Sequence, residues 1–309
     1  MDSHISTALT KLIRAYLRSN LRGRTRLTLG LARRLRSLQA VPITINGNQK
    51  VYVDLRDHVN HSLLAGSPWN SPPAEPDEQL VMRDVVEPGD VIFDIGAHMG
   101  LHTVLLSVLA GSNGVVHAFE ANPERIPTLT VTVSRLSNTI LHAFGLADRE
   151  EVTSLFVPED QAMASLTDWT MGRVGPVRRT SCTLRILDRV IDDGLAALPD
   201  FVKCDVEGAE LLVFRGARKT LDRPDAPIIL YEANKLSAGA FGQSVSAATD
   251  FLRGLSSGAY TVFHVQPHGT LNRLETFRHD CDHYNLLAVP RSRVGRLRTI
   301  ADRIVWTRS

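Results

Sequence analysis

The sequence predicts an α/β fold built on one doubly wound, largely parallel sheet. Short apolar runs recur at 91–95, 115–120, 139–147, 201–205, 227–232, 260–265 and 284–289. Helix-patterned stretches separate most of them, and several runs end in glycine or acidic residues. Strands joined through helices pair in parallel and are covered on both faces, so they read as apolar runs rather than as alternating ones.

Taken in order, the chain opens with a helical pattern. Ile5, Ala8, Leu9, Leu12, Ile13, Tyr16, Leu17 and Leu21 recur at three- and four-residue steps, with Lys11, Arg14 and Arg18 opposite. A second basic helical stretch covers 27–38. Residues 42–54 alternate apolar and polar on both sides of Asn46-Gly47, a hairpin signal. The Pro-rich run 67–76 cannot be regular structure and serves as a linker. Helices are expected at 100–109, at 123–136 with Pro123 in the first turn, at 209–221 and at 245–255, and residues 149–182 read as an irregular or hairpin excursion. The expected organisation is an arm over 1–77, a main domain over 78–290 and a basic tail over 291–309.

Composition narrows the function classes. Of 309 residues, 43% are apolar and 22% charged, an ordinary globular balance. Net charge is +2, but residues 1–40 carry +8 and residues 291–309 carry +5, which leaves −11 on 41–290. A basic amphipathic arm suits the surface of an anionic membrane. Its apolar stripe can instead pack against the acidic body or a second subunit in a homo-oligomer, the commoner use of such helices. A nucleic-acid partner is not expected, because the arm lacks stacking aromatics and the body repels phosphate. Cys182, Cys204 and Cys281 are odd in number and form no CxxC pair, which argues for a reducing compartment and against a zinc cluster. No run reaches the ~18 apolar residues of a membrane span, and the N-terminus has no signal-peptide pattern. A cytoplasmic protein is expected, one able to sit peripherally on the inner face of the membrane.

Ligands of doubly wound sheets bind beyond the carboxyl ends of the strands. The first strand ends at Asp94 and runs into Gly96-Ala97-His98-Met99-Gly100, where glycine lets the backbone approach a ligand. The second ends at Glu120, 26 residues after Asp94, placed to accept both hydroxyls of a ribose. Together they indicate an adenosine-bearing cofactor, without the GxGxxG of a dinucleotide site. Ala147 and Asp148, ending the third strand, are suited to an adenine edge. Asp205 and Glu207 follow the fourth strand where the reactive end would lie, able to orient an ammonium or take a proton from a hydroxyl. Glu210 reads as a helix-starting acid. His98 is a third candidate base, although it can equally shape the pocket. His98 and His102 are four apart, but without HExxH no metal is expected.

The ordered set Asp94-Ile95-Gly96-Ala97-His98-Met99-Gly100-Leu101-His102-Thr103, Ala118-Phe119-Glu120-Ala121-Asn122-Pro123, Ala164-Ser165-Leu166, Leu187-Asp188, Lys203-Cys204-Asp205-Val206-Glu207-Gly208-Ala209-Glu210, Leu230-Tyr231-Glu232 and Asn285-Leu286-Leu287-Ala288-Val289-Pro290 resembles the FkbM-type methyltransferases. The match covers about residues 78–290. His98-Met99 stands where Asn is frequent, and Ala121 replaces a common Pro. The resemblance implies the class I methyltransferase (Rossmann-like) fold with seven strands, S-adenosyl-L-methionine as cofactor, and methylation of a hydroxyl on a saccharide, glycolipid or secondary metabolite. It places Asp94, Gly96, Ala97, Gly100 and Thr103 along the cofactor, with Glu120, Ala121 and Asn122 at the ribose and Asp205 near the amino-acid moiety or the acceptor. The candidates for removing the acceptor proton are then Asp205, Glu207 and His98. A nicotinamide-dependent oxidoreductase or epimerase is the alternative from another class, weakened by the missing GxGxxG and Tyr-x-x-x-Lys. A non-catalytic scaffold is a third.

Overall fold

The computed structural model describes residues 2–19, 21–45, 49–57, 59–66, 76–173 and 175–305. The expected Asn46-Gly47 turn, and the Pro-rich run apart from Pro76, lie outside the described residues.

The arm consists of α1 (Asp2–Arg18), α2 (Arg24–Arg34), the antiparallel pair β1 (Val41–Ile45) and β2 (Gln49–Val53), and α3 (Val59–Ala65). Part of its apolar stripe is used for packing. Ile13 and Leu17 are buried in one cluster with Ala32, Val41, Val51, Val53 and Leu64, and the cluster also takes in Met99 and Val104. The arm therefore shares a core with the body, and the backbone N–H of Tyr52 donates to Thr132 Oγ1 at 3.1 Å.

The body follows as α4 (Pro76–Val85), β3 (Val91–Ile95), α5 (Leu101–Ala110), β4 (Val115–Phe119), α6 (Ile126–Val133) and β5 (Thr139–His142). Next come β6 (Gly145–Leu146), β7 (Glu151–Val157), β8 (Arg178–Arg185) and α7 (Leu187–Asp192). The second half holds β9 (Phe201–Cys204), α8 (Glu210–Gly216), α9 (Arg218–Leu221), β10 (Ile228–Asn234), α10 (Lys235–Ala240), α11 (Ala247–Arg253), β11 (Thr261–Gln266), β12 (Thr270–Arg273), β13 (His283–Val289) and β14 (Ile304–Val305).

The main sheet has the order β14-β12-β11-β13-β10-β9-β3-β4-β5. All seven apolar runs enter it side by side, and β12 and β14 extend one edge beyond them. β5, β4, β3, β9 and β10 pair in parallel, while β13 runs antiparallel to both β10 and β11. Alternate strand residues feed two cores. Phe93, Ile95, Phe119, Val202, Ile229 and Tyr231 pack with Leu211, Phe214 and Leu252 on one face. Ile92, Val116, Phe201, Ile228, Leu230 and Leu287 pack with Val81, Val85 and Leu105 on the other. Each fully buried Phe or Leu contributes roughly 1.5–3 kcal/mol relative to exposure.

Three boundaries differ from the sequence reading. The run 139–147 is two strands: β5 stops at His142, and β6 pairs with β8 in a separate sheet of order β6-β8-β7. A Cβ on Gly145 would come within 2.9 Å of both Ala121 and Leu184, so the chain leaves the main sheet by packing tightly between them. α6 starts at Ile126 rather than Pro123, with Pro127 in its first turn. Asn122 Oδ1 accepts from Glu124 N at 3.0 Å and holds Pro123 in a turn instead. The stretch 209–221 is two helices, because Ala217 leaves the helical conformation between α8 and α9.

The basic tail forms a 3-10 segment, Arg291–Arg303, beneath the sheet. Arg293 donates to Asp200 at 2.9 Å, and Arg296 grips Asp90 with Nη2 at 2.9 Å from Oδ1. Those carboxylates precede β9 and β3, so the tail closes the amino ends of the strands and leaves the carboxyl ends for the site.

Candidate functional site

The site begins at Asp94, which is fully buried. Its Oδ2 accepts from the Thr103 hydroxyl at 2.6 Å, and its Oδ1 lies 4.0 Å from Lys203 Nζ. Oδ1 itself has no hydrogen-bond partner among the described residues. The loop that follows is shaped by one contact. Gly96 has φ +83°, and a Cβ there would stand 1.9 Å from the Asp205 carbonyl oxygen, so only glycine fits between β3 and β9. His98 has φ +52°, uncommon for a residue with a side chain.

Glu120 sustains that conformation. Its Oε2 accepts from His98 N and its Oε1 from Asn122 N, both at 2.7 Å. One carboxylate thus joins the loop after β3 to the turn after β4, and each oxygen keeps a lone pair for a further donor. Burial pushes the Glu120 pKa up, opposed by the two backbone donors. The His98 ring is different. Its Nε2 is buried without a partner among the described residues, and burial, then Arg125 and Lys203, hold its pKa well below the usual histidine value. A neutral imidazole of low basicity is a weak proton acceptor but a good ring to set against a ligand.

The fourth strand brings in charge. Lys203 is buried within β9 and reaches Asp205 Oδ2 at 3.1 Å. Glu207 has φ +53°, and its carbonyl accepts from the Ser165 hydroxyl at 2.8 Å. Glu210 fulfils the helix-starting role: Oε1 accepts from Val206 N at 3.0 Å and Gly208 N at 3.3 Å, and burial raises its pKa to about 7.

Sequence reasoning missed the catalytic potential of Glu232. It ends the buried part of β10, where Asn234 Nδ2 donates to its Oε1 at 3.3 Å and His283 Nε2 lies 3.5 Å from the same atom. Carboxylate oxygens of Asp205, Glu207 and Glu232 all lie within 4.8 Å of one another. Burial first, and then repulsion from the neighbouring carboxylates, push Glu207 and Glu232 well above the ordinary carboxylate range. Carboxylates this close repel one another when all are ionised, an arrangement that favours a shared proton or a bound cation. The signal available in sequence was Tyr231-Glu232 at a strand end, but which strand end faces Asp205 depends on sheet order.

A cavity runs between these groups. Gly96, His98, Glu120, Ala121, Asp205 and Glu207 line it. Leu146, Leu155 and Leu184 supply an apolar wall, and Gln161, Ala162, Ala164 and Leu166 from the excursion between β7 and β8 cover it. Asp94, Ala97, Gly100, Thr103 and Asn122 are not among the residues that line it. Ala147 and Asp148 line a neighbouring cavity of about 390 Å³, which shares Leu166 and Leu184 with the first. The enclosed space of the first is about 80 Å³. Small-molecule sites reach about 300 Å³ or more, and the segment 161–166 lies across this smaller space.

A parallel sheet with a glycine turn after β3 and a carboxylate after β4 defines a Rossmann-like protein that holds the ribose of a nucleoside cofactor. The chain belongs to the methyltransferase FkbM domain family, whose model matches residues 94–260. It is similar to the hexuronic acid methyltransferase AglP of Haloferax volcanii, 29% identical over 158 residues, which is 49% of this chain and 61% of that protein. The match therefore spans about three fifths of that relative's length. Among solved structures, the methyltransferase FkbM of Methylobacillus flagellatus aligns with TM-score 0.41 and 17% identity, covering 76% of this chain and 53% of that one. Aeropyrum pernix fibrillarin with bound S-adenosyl-L-methionine aligns with TM-score 0.38 and 15% identity, covering 69% and 73%. The cofactor of the family is S-adenosylmethionine, and the residues present fit it. The Glu120 carboxylate keeps lone pairs free for further donors, and His98 Nε2 is buried without a partner among the described residues.

Proposed function

We propose that this protein transfers a methyl group from S-adenosylmethionine to a hydroxyl of a saccharide, free or lipid-linked. The observation that carries this reading is the triad Asp205, Glu207 and Glu232, gathered at the carboxyl ends of β9 and β10 beside the ribose-holding Glu120. The name of AglP supports a saccharide acceptor. In this reading residues 78–290 carry cofactor and acceptor, with 1–77 and 291–309 built onto that body.

The bound cofactor supplies an electrophilic methyl on a sulfonium, so the protein's task is alignment and proton removal. Glu120 fixes the ribose through its free lone pairs, and Gly96 lets the chain pass close to the methionine portion. An acceptor hydroxyl above the triad hydrogen-bonds to a carboxylate that is ionised beside a protonated neighbour. That carboxylate would take the hydroxyl's proton as its oxygen received the methyl group, with the neutral thioether S-adenosylhomocysteine as the co-product. Lys203 Nζ lies 3.1 Å from Asp205 Oδ2, and this pairing sets Asp205 as the acceptor of that proton and Glu232 as the group that positions it. His98 shapes the cavity rather than taking the proton.

Calorimetry with S-adenosylhomocysteine tests the cofactor half of the proposal, and transfer of an isotopically labelled methyl to hexuronic-acid oligosaccharides tests the acceptor half. Binding without transfer would retain the cofactor and reject the acceptor class. Absence of binding would reject both.

A further inference from the structure

Between Asp2 and Asp54 the chain has no carboxylate, yet it carries ten Lys and Arg residues there. The structure separates them by use. Arg18 Nε donates to the Ala65 carbonyl at 2.5 Å, Arg24 donates to the Ser19 carbonyl, and the Arg14 Nε is buried. Arg22, Arg26, Arg33, Arg34 and Arg36 are exposed, and no carboxylate pairs with them among the described residues. Some exposed arginines of the body, among them Arg149, Arg178 and Arg278, do hold an acidic partner.

On α2 the residues Arg26, Leu27, Gly30, Arg33 and Arg34 fall within about 120° of arc at 100° per residue. All five are exposed, while Thr28 and Ala32 on the other side are buried. Leucines stand among these arginines instead of the polar residues a solvated face would carry. Leu21 is 60% exposed, Leu27 54% and Leu35 38%. The turn between α1 and α2 adds an open concavity lined by Leu21, Arg22, Arg24, Arg26 and Leu29.

We propose that this face of α2 and its flanking turns docks on an anionic phospholipid bilayer. The guanidinium groups would meet lipid phosphates, and Leu21, Leu27 and Leu35 would enter the headgroup boundary. Charge selects this occupant. A second copy of the arm would bring like charge against like charge. Nucleic acid would leave the leucines unused, and the arm offers only the half-buried Tyr16 for stacking among its first 45 residues. The arm also touches the site, because Asp57, just after β2, pairs with the buried Arg125, five residues beyond Glu120. A bilayer under α2 would thus fix the orientation of the cleft to the membrane, which suits an acceptor carried on a lipid. The docking itself does not depend on the proposed acceptor.

The test is co-sedimentation of the full chain with vesicles of phosphatidylglycerol and phosphatidylcholine, against vesicles of phosphatidylcholine alone. The chain should pellet with the anionic vesicles only, and rising salt should release it; this readout needs no variant. Each basic residue near such a surface contributes about fivefold in partition, so the triple variant Arg33→Glu, Arg34→Glu, Arg36→Glu should partition at least ~100-fold more weakly. The triple variant Leu21→Ser, Leu27→Ser, Leu35→Ser should bind at low salt but detach at a lower salt concentration than the parent. Both variants should bind S-adenosylhomocysteine as the parent does. Failure to pellet, equal pelleting with neutral vesicles, charge reversal without effect, or preferential binding to duplex DNA or RNA in direct competition would each overturn the proposal.

Discussion

Replacing Glu120 by Gln changes one atom and tests how the cofactor loop is held. In the parent, one carboxylate accepts two backbone N–H groups, His98 N and Asn122 N, at 2.7 Å each. The amide has one acceptor oxygen, so its NH2 must face one of those N–H groups, donor against donor. One hydrogen bond to a charged acceptor is lost, together with the ribose contact from the same oxygen. At about 1.5–3 kcal/mol for each hydrogen bond to a charged group, with partial compensation by water, cofactor affinity should fall by about 2–4 kcal/mol, or ~30- to ~1,000-fold. Because burial already raises the Glu120 pKa, neutralising the side chain relieves desolvation, and the free protein should lose little thermal stability. Calorimetry with S-adenosylhomocysteine reads the affinity, and differential scanning fluorimetry of the same samples reads stability. Binding at parental affinity would refute the assignment of Glu120, and a collapse in stability without ligand would make it a structural residue.

Asp205→Asn should lower kcat by about 10²- to 10⁴-fold, measured by initial rates with labelled cofactor, whereas Glu232→Gln, which keeps the donor of a protonated acid, should cost far less. The mechanism needs a protonated neighbour beside Asp205, and Glu207 and Glu232 are both pushed above the ordinary carboxylate range, so rate should fall as pH rises through the range in which they ionise. A chelator should leave the rate unchanged if the triad shares a proton; inhibition reversed by added magnesium would assign the cluster to a cation. Gly96→Ala places a Cβ 1.9 Å from a backbone oxygen at φ +83°. It should abolish cofactor binding in calorimetry and lower Tm, the φ strain alone costing about 1–3 kcal/mol. His117 Nδ1 lies 2.9 Å from His142 Nε2, and burial lowers the His117 pKa to about 4 from 6.5. With the folded value depressed, its contribution is present above pH 6.5 and lost as pH falls toward about 4. Tm should therefore drop across that window, and the slope should be shallower in His117→Asn.

The sheet was legible because each of its seven central strands is a contiguous apolar run, and helices between them force parallel pairing. The errors came where packing outweighs pattern. Gly145 reads as strand interior, yet its lack of a Cβ serves a close approach to Ala121 and Leu184. The loop residues Gly96, His98 and Glu120 were legible from spacing, since the ends of adjacent parallel strands must share one rim. Glu232 was not, because its approach to Asp205 depends on β9 and β10 being neighbours in register, Leu230 beside Lys203. Nor could periodicity divide the amphipathic arm. Ile13 and Leu17 are buried while Leu12 of the same stripe is 68% exposed, a distinction set by where α3 and α2 pack against α1.

The central claim is methyl transfer to a saccharide hydroxyl, and one experiment bears on it most directly. The purified chain is incubated with methyl-deuterated S-adenosylmethionine and a panel of hexuronic-acid and neutral oligosaccharides, and the products are read by mass spectrometry before and after mild alkali. A labelled methyl that survives alkali is an ether on a hydroxyl, and that product should form with the parent and be lost with Asp205→Asn. An alkali-labile label would place the methyl on a carboxylate, and no label on any saccharide would contradict the account outright.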